Sequence, residues 1–219
     1  MPGDGELIVS GITHPTAVQR WFSLLAPSYD HVVTPLFWPE SLQRRALEGL
    51  DIEPDDRVLD LGCGTGETSR LLREFGATVD GVDLSIDQLE SAQAKVDNVQ
   101  LLQADGAQLP CSETVYDHVV SVGSMLYWPE PETVLAEAAR VTKPGGSILL
   151  MGFHRRTLRP WTPLRNTQEL LAAPLFERHT TDESQSLFEI AGWSEIQQTV
   201  TGPLWCPDLV LETVARQPQ

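Results

Sequence analysis

At 219 residues, with 41% hydrophobic side chains, 16 glycines and 16 prolines, the chain can bury roughly 70% of its unfolded surface; collagen-like, low-complexity and wholly disordered polymers are excluded. Its formal net charge is -16, from 31 Asp+Glu against 15 Lys+Arg. Such a field repels phosphate backbones, which argues against a dedicated nucleic-acid or anionic-membrane binder.

The first 50 residues read helical in two pieces. Val18, Trp21, Phe22 and Leu25 recur at helical spacing, and a second helix runs from Pro39 and Glu40 through Leu42, Ala46 and Leu47 to a stop at Gly49. Arg57 to Leu61 then reads as a strand, followed by a glycine cluster and a helix from Glu67 to Phe75 that Gly76 ends. Thr78 to Val82 is a second strand, and Ser85 caps a helix running to Lys95. Val99 to Gln103 and Tyr116 to Val122 are further strands, and Pro131 opens a helix to Val141. The turn Lys143-Pro144-Gly145-Gly146 leads into a fifth strand, Ser147 to Phe153. After an irregular stretch come a helix from Asp182 to Ala191, closed by Gly192, and two strand-like runs, Glu195 to Val200 and Leu209 to Ala215. Strands alternating with helices of about ten residues imply right-handed crossovers and a parallel sheet covered on both faces. The short link between the last two runs permits an antiparallel pair.

The start MPGDGELIVS has neither a basic n-region nor an apolar core, and no apolar run approaches the length of a membrane span, so a cytoplasmic chain without integral membrane association is expected. Cys63, Cys111 and Cys206 are odd in number and never form a C-x-x-C pair, which predicts reduced thiols and no cysteine metal site.

In open parallel sheets, ligands bind beyond the carboxyl ends of the strands, near the point where strand order reverses. The first of these strands ends in Asp60-Leu61-Gly62-Cys63-Gly64-Thr65-Gly66, where glycines allow close approach to backbone. A pyrophosphate fingerprint needs a third glycine one position later, and Glu67 follows Gly66 here. Asp83 ends the second strand about twenty residues on, placed either to accept both hydroxyl protons of a ribose or to act as a helix N-terminal charge. Asp105 ends the third strand in Ala104-Asp105-Gly106-Ala107, facing an adenine amino group or simply making a turn. Together, two acidic strand ends and a glycine loop describe a pocket for an adenosine without phosphate.

These segments, with Val58-Leu59 before Asp60, Val82-Asp83-Leu84-Ser85, and Arg140-Val141-Thr142-Lys143-Pro144-Gly145-Gly146, resemble in order the motifs of class I S-adenosylmethionine-dependent methyltransferases. Upstream, Trp21-Phe22 through Ala26-Pro27-Ser28-Tyr29-Asp30 is similar to the N-terminal helix and turn of the quinone-biosynthesis C-methyltransferases. The resemblance implies one Rossmann-like domain over 1–219: a doubly wound, mostly parallel seven-stranded sheet with an antiparallel C-terminal strand pair. Within it, 1–50 is a helical lid, 51–153 the cofactor core, 154–180 a substrate cap and 181–219 the C-terminal helix and strand pair. It also implies S-adenosyl-L-methionine as cofactor and a small-molecule acceptor, and leaves the oligomeric state open. The implied cofactor residues are Tyr29, Asp60, Gly62, Cys63, Gly64, Gly66, Asp83, Leu84, Gln88, Asp105, Gly106, Ala107 and Ser121.

Two departures from the family pattern bear on specificity. Many relatives have Met where Gln88 stands, so an amide hydrogen bond can replace an apolar contact; and Ser124-Met125-Leu126-Tyr127-Trp128 replaces a histidine-containing segment that faces the acceptor. Tyr127 and Trp128 point to an apolar or aromatic acceptor, the alternative for Trp128 being packing against the next helix. Methyl transfer from a sulfonium needs alignment more than a nucleophilic side chain, yet a phenol or amine acceptor can need a general base. His154 after the fifth strand and His31 beside Tyr29 are the candidates; His118, inside an apolar strand, reads as a hydrogen-bonded core residue. Arg155, Arg156, Arg159, Arg165 and Arg178, interleaved with Trp161 and Phe176, make either a substrate cap or a solvated face. Two other functions remain open from sequence: a non-catalytic cofactor-binding regulatory module, and an NAD-dependent oxidoreductase.

Lys95 and Lys143 are the only lysines, the other 13 basic residues being arginine. A GC-rich genome and a halophile surface both produce that bias. The halophile origin predicts a melting temperature that climbs as KCl rises to molar concentration and screens self-repulsion; a flat or falling curve leaves genome composition as the explanation.

Overall fold

The computed structural model describes residues 7–9, 34–155 and 178–219, and within them all seven expected strands form. The strands are Arg57–Leu61 (β2), Thr78–Asp83 (β3), Val99–Gln103 (β4), Tyr116–Val122 (β5), Thr142–Phe153 (β6), Ser194–Thr201 (β7) and Val210–Arg216 (β8). An eighth strand that the sequence reading did not anticipate, Leu7–Val9 (β1), pairs parallel with β4 at the edge. The sheet order is β1-β4-β3-β2-β5-β6-β8-β7, parallel as far as β6 and antiparallel in its last two pairings. The direction of winding reverses at β2, which lies between β3 and β5, so a crevice opens at the carboxyl ends of β2 and β5.

Helices cover both faces. Thr34–Phe37 (α1), Glu40–Glu48 (α2), Glu67–Glu74 (α3), Ile86–Gln93 (α4), Pro131–Val141 (α5) and Thr181–Ile190 (α6) are the helices among the described residues. Trp38, Leu42, Leu47, Leu71, Leu72 and Leu89 form a core on the side of α2, α3 and α4, while Leu59, Leu61, Leu135, Ala138, Phe188 and Trp193 form another on the side of α5 and α6. The punctuation acts as the sequence indicated: Gly49 closes α2, Gly76 takes a φ of 92° after α3, Ser85 caps α4 by accepting from the Gln88 N–H, and Pro131 opens α5. The expected turn at 143–146 lies inside a longer strand: β5–β6 pairing begins at Tyr116 and Thr142 and shifts to His118 and Ser147, so the intervening residues bulge out. The first of the two N-terminal helices lies outside the described residues. None of Cys63, Cys111 and Cys206 is in a disulfide. No helix among the described residues is long and apolar enough to cross a membrane.

At the opposite end of the sheet from the crevice, buried Asp80 accepts from the Arg57 guanidinium at 2.7 Å and from the Tyr116 hydroxyl at 2.9 Å, joining β2, β3 and β5. His118, also there, contacts Ser147 Oγ at 2.7 Å and Asp56 at 3.3 Å, in line with its reading as a satisfied core residue. Removing the Tyr116 hydroxyl leaves Asp80 with a partner that is itself half exposed. Tyr116→Phe is therefore expected to lower unfolding free energy by about 1–2 kcal/mol in urea, and a loss near zero would mean that Arg57 alone satisfies Asp80.

Candidate functional site

A cavity of about 500 Å³ occupies the crevice at the carboxyl ends of β2 to β5. Its floor is the loop after β2. Gly62, Gly64 and Gly66 have φ values of 77°, 53° and 84°, the region that glycine enters without steric cost. At Gly62 a Cβ would come within 2.4 Å of the Ser124 Cβ, whereas Gly64 faces open space, its nearest neighbour being Gln88 Oε1 at 3.8 Å from where a Cβ would stand. Gly62 thus lets the loop after β5 close onto β2, and Gly64 keeps backbone exposed to the cavity.

Asp83 ties this floor to the next loop. Its Oδ2 accepts the Gly64 N–H at 2.9 Å and its Oδ1 accepts the Ser85 N–H at 2.8 Å. Burial pushes its pKa up, while those backbone donors pull it back. Each oxygen keeps further acceptor capacity toward the cavity. Asp105, exposed after β4, accepts the Ala107 N–H at 2.9 Å and turns the chain so that Gly106 and Ala107 line the wall. Four carboxylates, Glu67, Asp83, Asp105 and Glu130, lie on the wall, and among the described lining residues there is no Lys, Arg or His. Glu67 is paired with Arg70. Gln88, also on the wall, is 2% exposed, and its Oε1 has no hydrogen-bond partner among the described residues. Both features match a ligand that brings positive charge and hydroxyl or amino donors, as the nucleoside and sulfonium of S-adenosylmethionine do. They do not match a pyrophosphate.

Of the residues singled out in the sequence, Gly62, Cys63, Gly64, Asp83, Leu84, Gln88, Asp105, Gly106 and Ala107 converge on the cavity. Four stand elsewhere. Asp60 is 1% exposed beneath the loop and accepts from Ser69 Oγ at 2.6 Å; Gly66 packs against α4, where a Cβ would meet Ala92 at 3.1 Å. Ser121 is buried against Ser124 Oγ at 2.5 Å, and it is Ser124 that reaches the wall. His154 is turned to the loop between β7 and β8: its backbone N–H bonds the Leu209 carbonyl and its Nδ1 donates to the Asp208 carbonyl at 3.2 Å. Tyr29 and His31 lie outside the described residues, as does most of the arginine-rich stretch, of which Arg155 pairs with Glu183.

The sequence reading missed Trp38, Gln43 and Thr68. Trp38 rests on Gly123, where a Cβ would come within 2.7 Å of its indole nitrogen, and stacks on Phe153 at 5.1 Å. Gln43 donates to the Trp38 carbonyl at 2.7 Å and accepts from Thr68 Oγ1 at 2.9 Å, locking α2 to α3 beside the cavity. A glutamine within the apolar stripe Leu42, Ala46 and Leu47 was the available signal. Tyr127 and Trp128 both reach the wall, and Trp128 also packs with Val134 in the α5 core, so its two readings hold together.

Burial, with a smaller contribution from nearby Asp83, pushes Asp60 up to about 7, and its hydrogen bonds from Ser69 offset only part of this. An unfolded aspartate titrates near 4, so between these values the folded chain holds the extra proton. The contribution of Asp60 to stability is therefore complete below pH about 4 and is lost as pH rises to about 7, by at most about 4 kcal/mol. Urea unfolding of wild type and Asp60→Asn across that interval is expected to give a difference that grows in favour of the variant with pH; a constant difference would show that Asp60 is ionised throughout.

Residues 59–150 match the family described as methyltransferase domain. The chain is 31% identical over 201 residues to a chloroplastic 2-methyl-6-phytyl-1,4-hydroquinone methyltransferase of Arabidopsis thaliana, an alignment covering 89% of this chain and 57% of that one. It is 26% identical over 179 residues to a demethylmenaquinone methyltransferase of Renibacterium salmoninarum, covering 81% and 76% respectively. The chain thus spans little more than half the length of its plant relative. Among solved structures, Haemonchus contortus phosphoethanolamine N-methyltransferase 2 superimposes with a TM-score of 0.74 at 17% identity, over 91% of this chain and 58% of that one, a likeness of fold. Residues 59–150 therefore form a methyltransferase domain, and in its ordered motifs and its sheet the chain is similar to the class I S-adenosylmethionine-dependent methyltransferases.

Proposed function

We propose that this protein transfers a methyl group from S-adenosylmethionine to a small aromatic acceptor, with prenylated hydroquinones as the favoured class. The observation that carries the reading is the charge and shape of the cavity: four carboxylates on the wall, of which Asp83 and Asp105 stand on the β3 and β4 side, and aromatic side chains toward β5. When bound, the cofactor would supply a methyl group on a sulfonium, the sulfur leaving as a neutral thioether and the proton displaced from the acceptor passing to solvent. Asp83 and the glycine loop hold the nucleoside, and Gly106 and Ala107 with Asp105 border its base. Trp38, Tyr127 and Trp128 exclude water from the face where the acceptor enters, and low polarity favours a step in which charge at sulfur disappears. Burial pushes the Tyr127 phenol up to about 12, so it stays neutral and serves as wall and hydrogen-bond group rather than base. With His154 turned away, no histidine among the described residues lines the cavity, and what the described residues contribute is alignment and desolvation. The names of the plant and bacterial relatives favour a hydroquinone or quinone-derived acceptor for this chain as well.

Calorimetry is expected to give micromolar binding of S-adenosylmethionine and S-adenosylhomocysteine and none of NAD. Labelled methyl is expected in a prenylated hydroquinone when hydroquinones, phenols and amines are offered side by side. Tight NAD binding without adenosyl-cofactor binding would sink the assignment, while cofactor binding without transfer to any acceptor would leave a regulatory module.

A further inference from the structure

The loop between β7 and β8 carries apolar side chains where polar ones are the rule. Pro203 to Cys206 form a β-turn, closed by the Cys206 N–H on the Pro203 carbonyl at 2.8 Å, which puts Leu204 and Trp205 at its apex. Turn apices ordinarily hold glycine, asparagine, aspartate or serine. Here Leu204 is fully exposed and Trp205 is 56% exposed. Leu36 of α1, 43% exposed, lies beside them, its carbonyl accepting the Trp205 indole N–H at 2.9 Å. The fold holds this apex outward. Pro203 is buried, a Cβ on Gly202 would come within 2.2 Å of the Cys206 carbonyl oxygen, and His154 grips the other limb of the loop through the Leu209 and Asp208 carbonyls. The loop stands on the carboxyl edge of the sheet, since Val210 pairs with Phe153 at the end of β6. From there ring contacts lead inward: Trp205 meets Phe37 at 5.9 Å, Phe37 meets Phe153 at 5.5 Å, and Phe153 stacks at 5.1 Å on Trp38, which lines the cavity.

Area, polarity and charge together say what covers this patch. Even a large aromatic side chain buries only about 150–250 Å², so Leu36, Leu204 and Trp205 fall well short of the roughly 800 Å² per partner that a stable protein interface needs. From Gly202 to Pro207 the loop has no charged residue, and its indole donor is already satisfied within the chain, so an apolar layer strands no side-chain hydrogen bond there. The net charge of -16, with Asp208 next to the loop tip, repels an anionic surface and leaves a neutral one. Resting on the proposed prenylated acceptor, we infer that the Leu204–Trp205 turn, with Leu36, docks the protein on a zwitterionic lipid bilayer, the phase in which such an acceptor dissolves. The contact is peripheral and made by few side chains, hence weak and reversible. It brings the aromatic side of the cavity to the bilayer, and it gives His154 a part in holding the docking loop.

The test is flotation of the full chain with phosphatidylcholine vesicles, repeated with a third of the lipid replaced by phosphatidylglycerol. Wild type is expected to float with the neutral vesicles and less with the anionic ones. Leu204→Asp, at a fully exposed side chain, is expected to partition about tenfold more weakly with an unchanged thermal melt; Leu204→Ser takes its place if that variant does not fold. With a prenylated hydroquinone dissolved in the vesicles the variant is expected to raise KM and leave kcat, and with a tail-less hydroquinone in solution to change neither. No flotation of wild type, binding strengthened by anionic lipid, or a folded variant that floats within about twofold of wild type would overturn the docking surface. So would a wild-type dimer that Leu204→Asp splits, since the patch would then be a contact between copies. Methylation of the tail-less hydroquinone without vesicle binding removes the docking surface and leaves the proposed function standing. Vesicle binding that depends on Leu204, without methylation of any hydroquinone, supports the docking surface and removes the acceptor.

Discussion

The glycine loop has little to hold it in place by itself. Its residues adopt positive φ at alternate positions, and the backbone bonds that anchor it are those from Gly62 and Cys63 to the Val82 carbonyl and from Gly66 back to Cys63. What spans the gap to the β3–α4 loop is the Asp83 carboxylate, with one oxygen on Gly64 and one on Ser85. Together with the Gly62 and Cys63 bonds to the Val82 carbonyl, that side chain holds two loops whose strands pair in parallel register up to Leu61 and Val82. The Gly64 end of the cavity floor is held by it. Asp83 is therefore a structural residue as well as a ligand candidate, and its removal disturbs the loop together with any bound nucleoside.

Charge is distributed in keeping with that arrangement. Arginines on the outer helix faces are paired: Arg44 with Glu40 and Glu74, Arg70 with Glu67 and Glu40, and Arg140 with Glu137. The cavity keeps its carboxylates without a cation of the chain on its wall among the described residues, and burial holds Asp60 and Asp83 above the usual carboxylate range. An acidic, partly desolvated crevice carries an electrostatic cost that a cationic ligand relieves. The overall charge of -16 acts in the same sense at longer range.

The aromatic half of the cavity comes from residues remote in sequence. Trp38 reaches the loop after β5 because Gly123 has no side chain, and Phe153 at the end of β6 backs its ring. Tyr127 and Trp128 are neighbours at the end of a 3-10 turn, yet they join different cores, Tyr127 the one with Trp38 and Trp128 the one with α5. The turn therefore straddles the sheet edge and supplies both sides of the opening.

Local chemistry made much of this legible in advance. Strand and helix periodicity, Gly49, Gly76, Ser85 and Pro131 located the elements from 40 to 153, and the alternation alone implied a parallel sheet with its site at the carboxyl edge. The glycine loop, Asp83 and Asp105 were readable because each sits where a strand ends, a position that sequence spacing defines. Other features were not. β1 is three residues long and exists only through its pairing with β4, and the bulge at 143–146 is defined by the register of β5 rather than by its own turn residues. Asp60 and Ser121 lie on the right strands, yet whether a strand-end side chain faces a cavity or the underside of a loop is set by what packs there, here Ser69 and Ser124. The same holds for His154, which the β7–β8 loop draws away, and for Trp38 and Gln43, which an N-terminal helix brings in from outside the motif-bearing region. The sequence by itself determined the elements, the sheet edge that carries the cavity and the acidic character of its wall, because these follow from nearest-neighbour periodicity and composition. Only the tertiary structure decided which side chains reach the cavity, because that depends on contacts between segments far apart along the chain, to which no local pattern is sensitive.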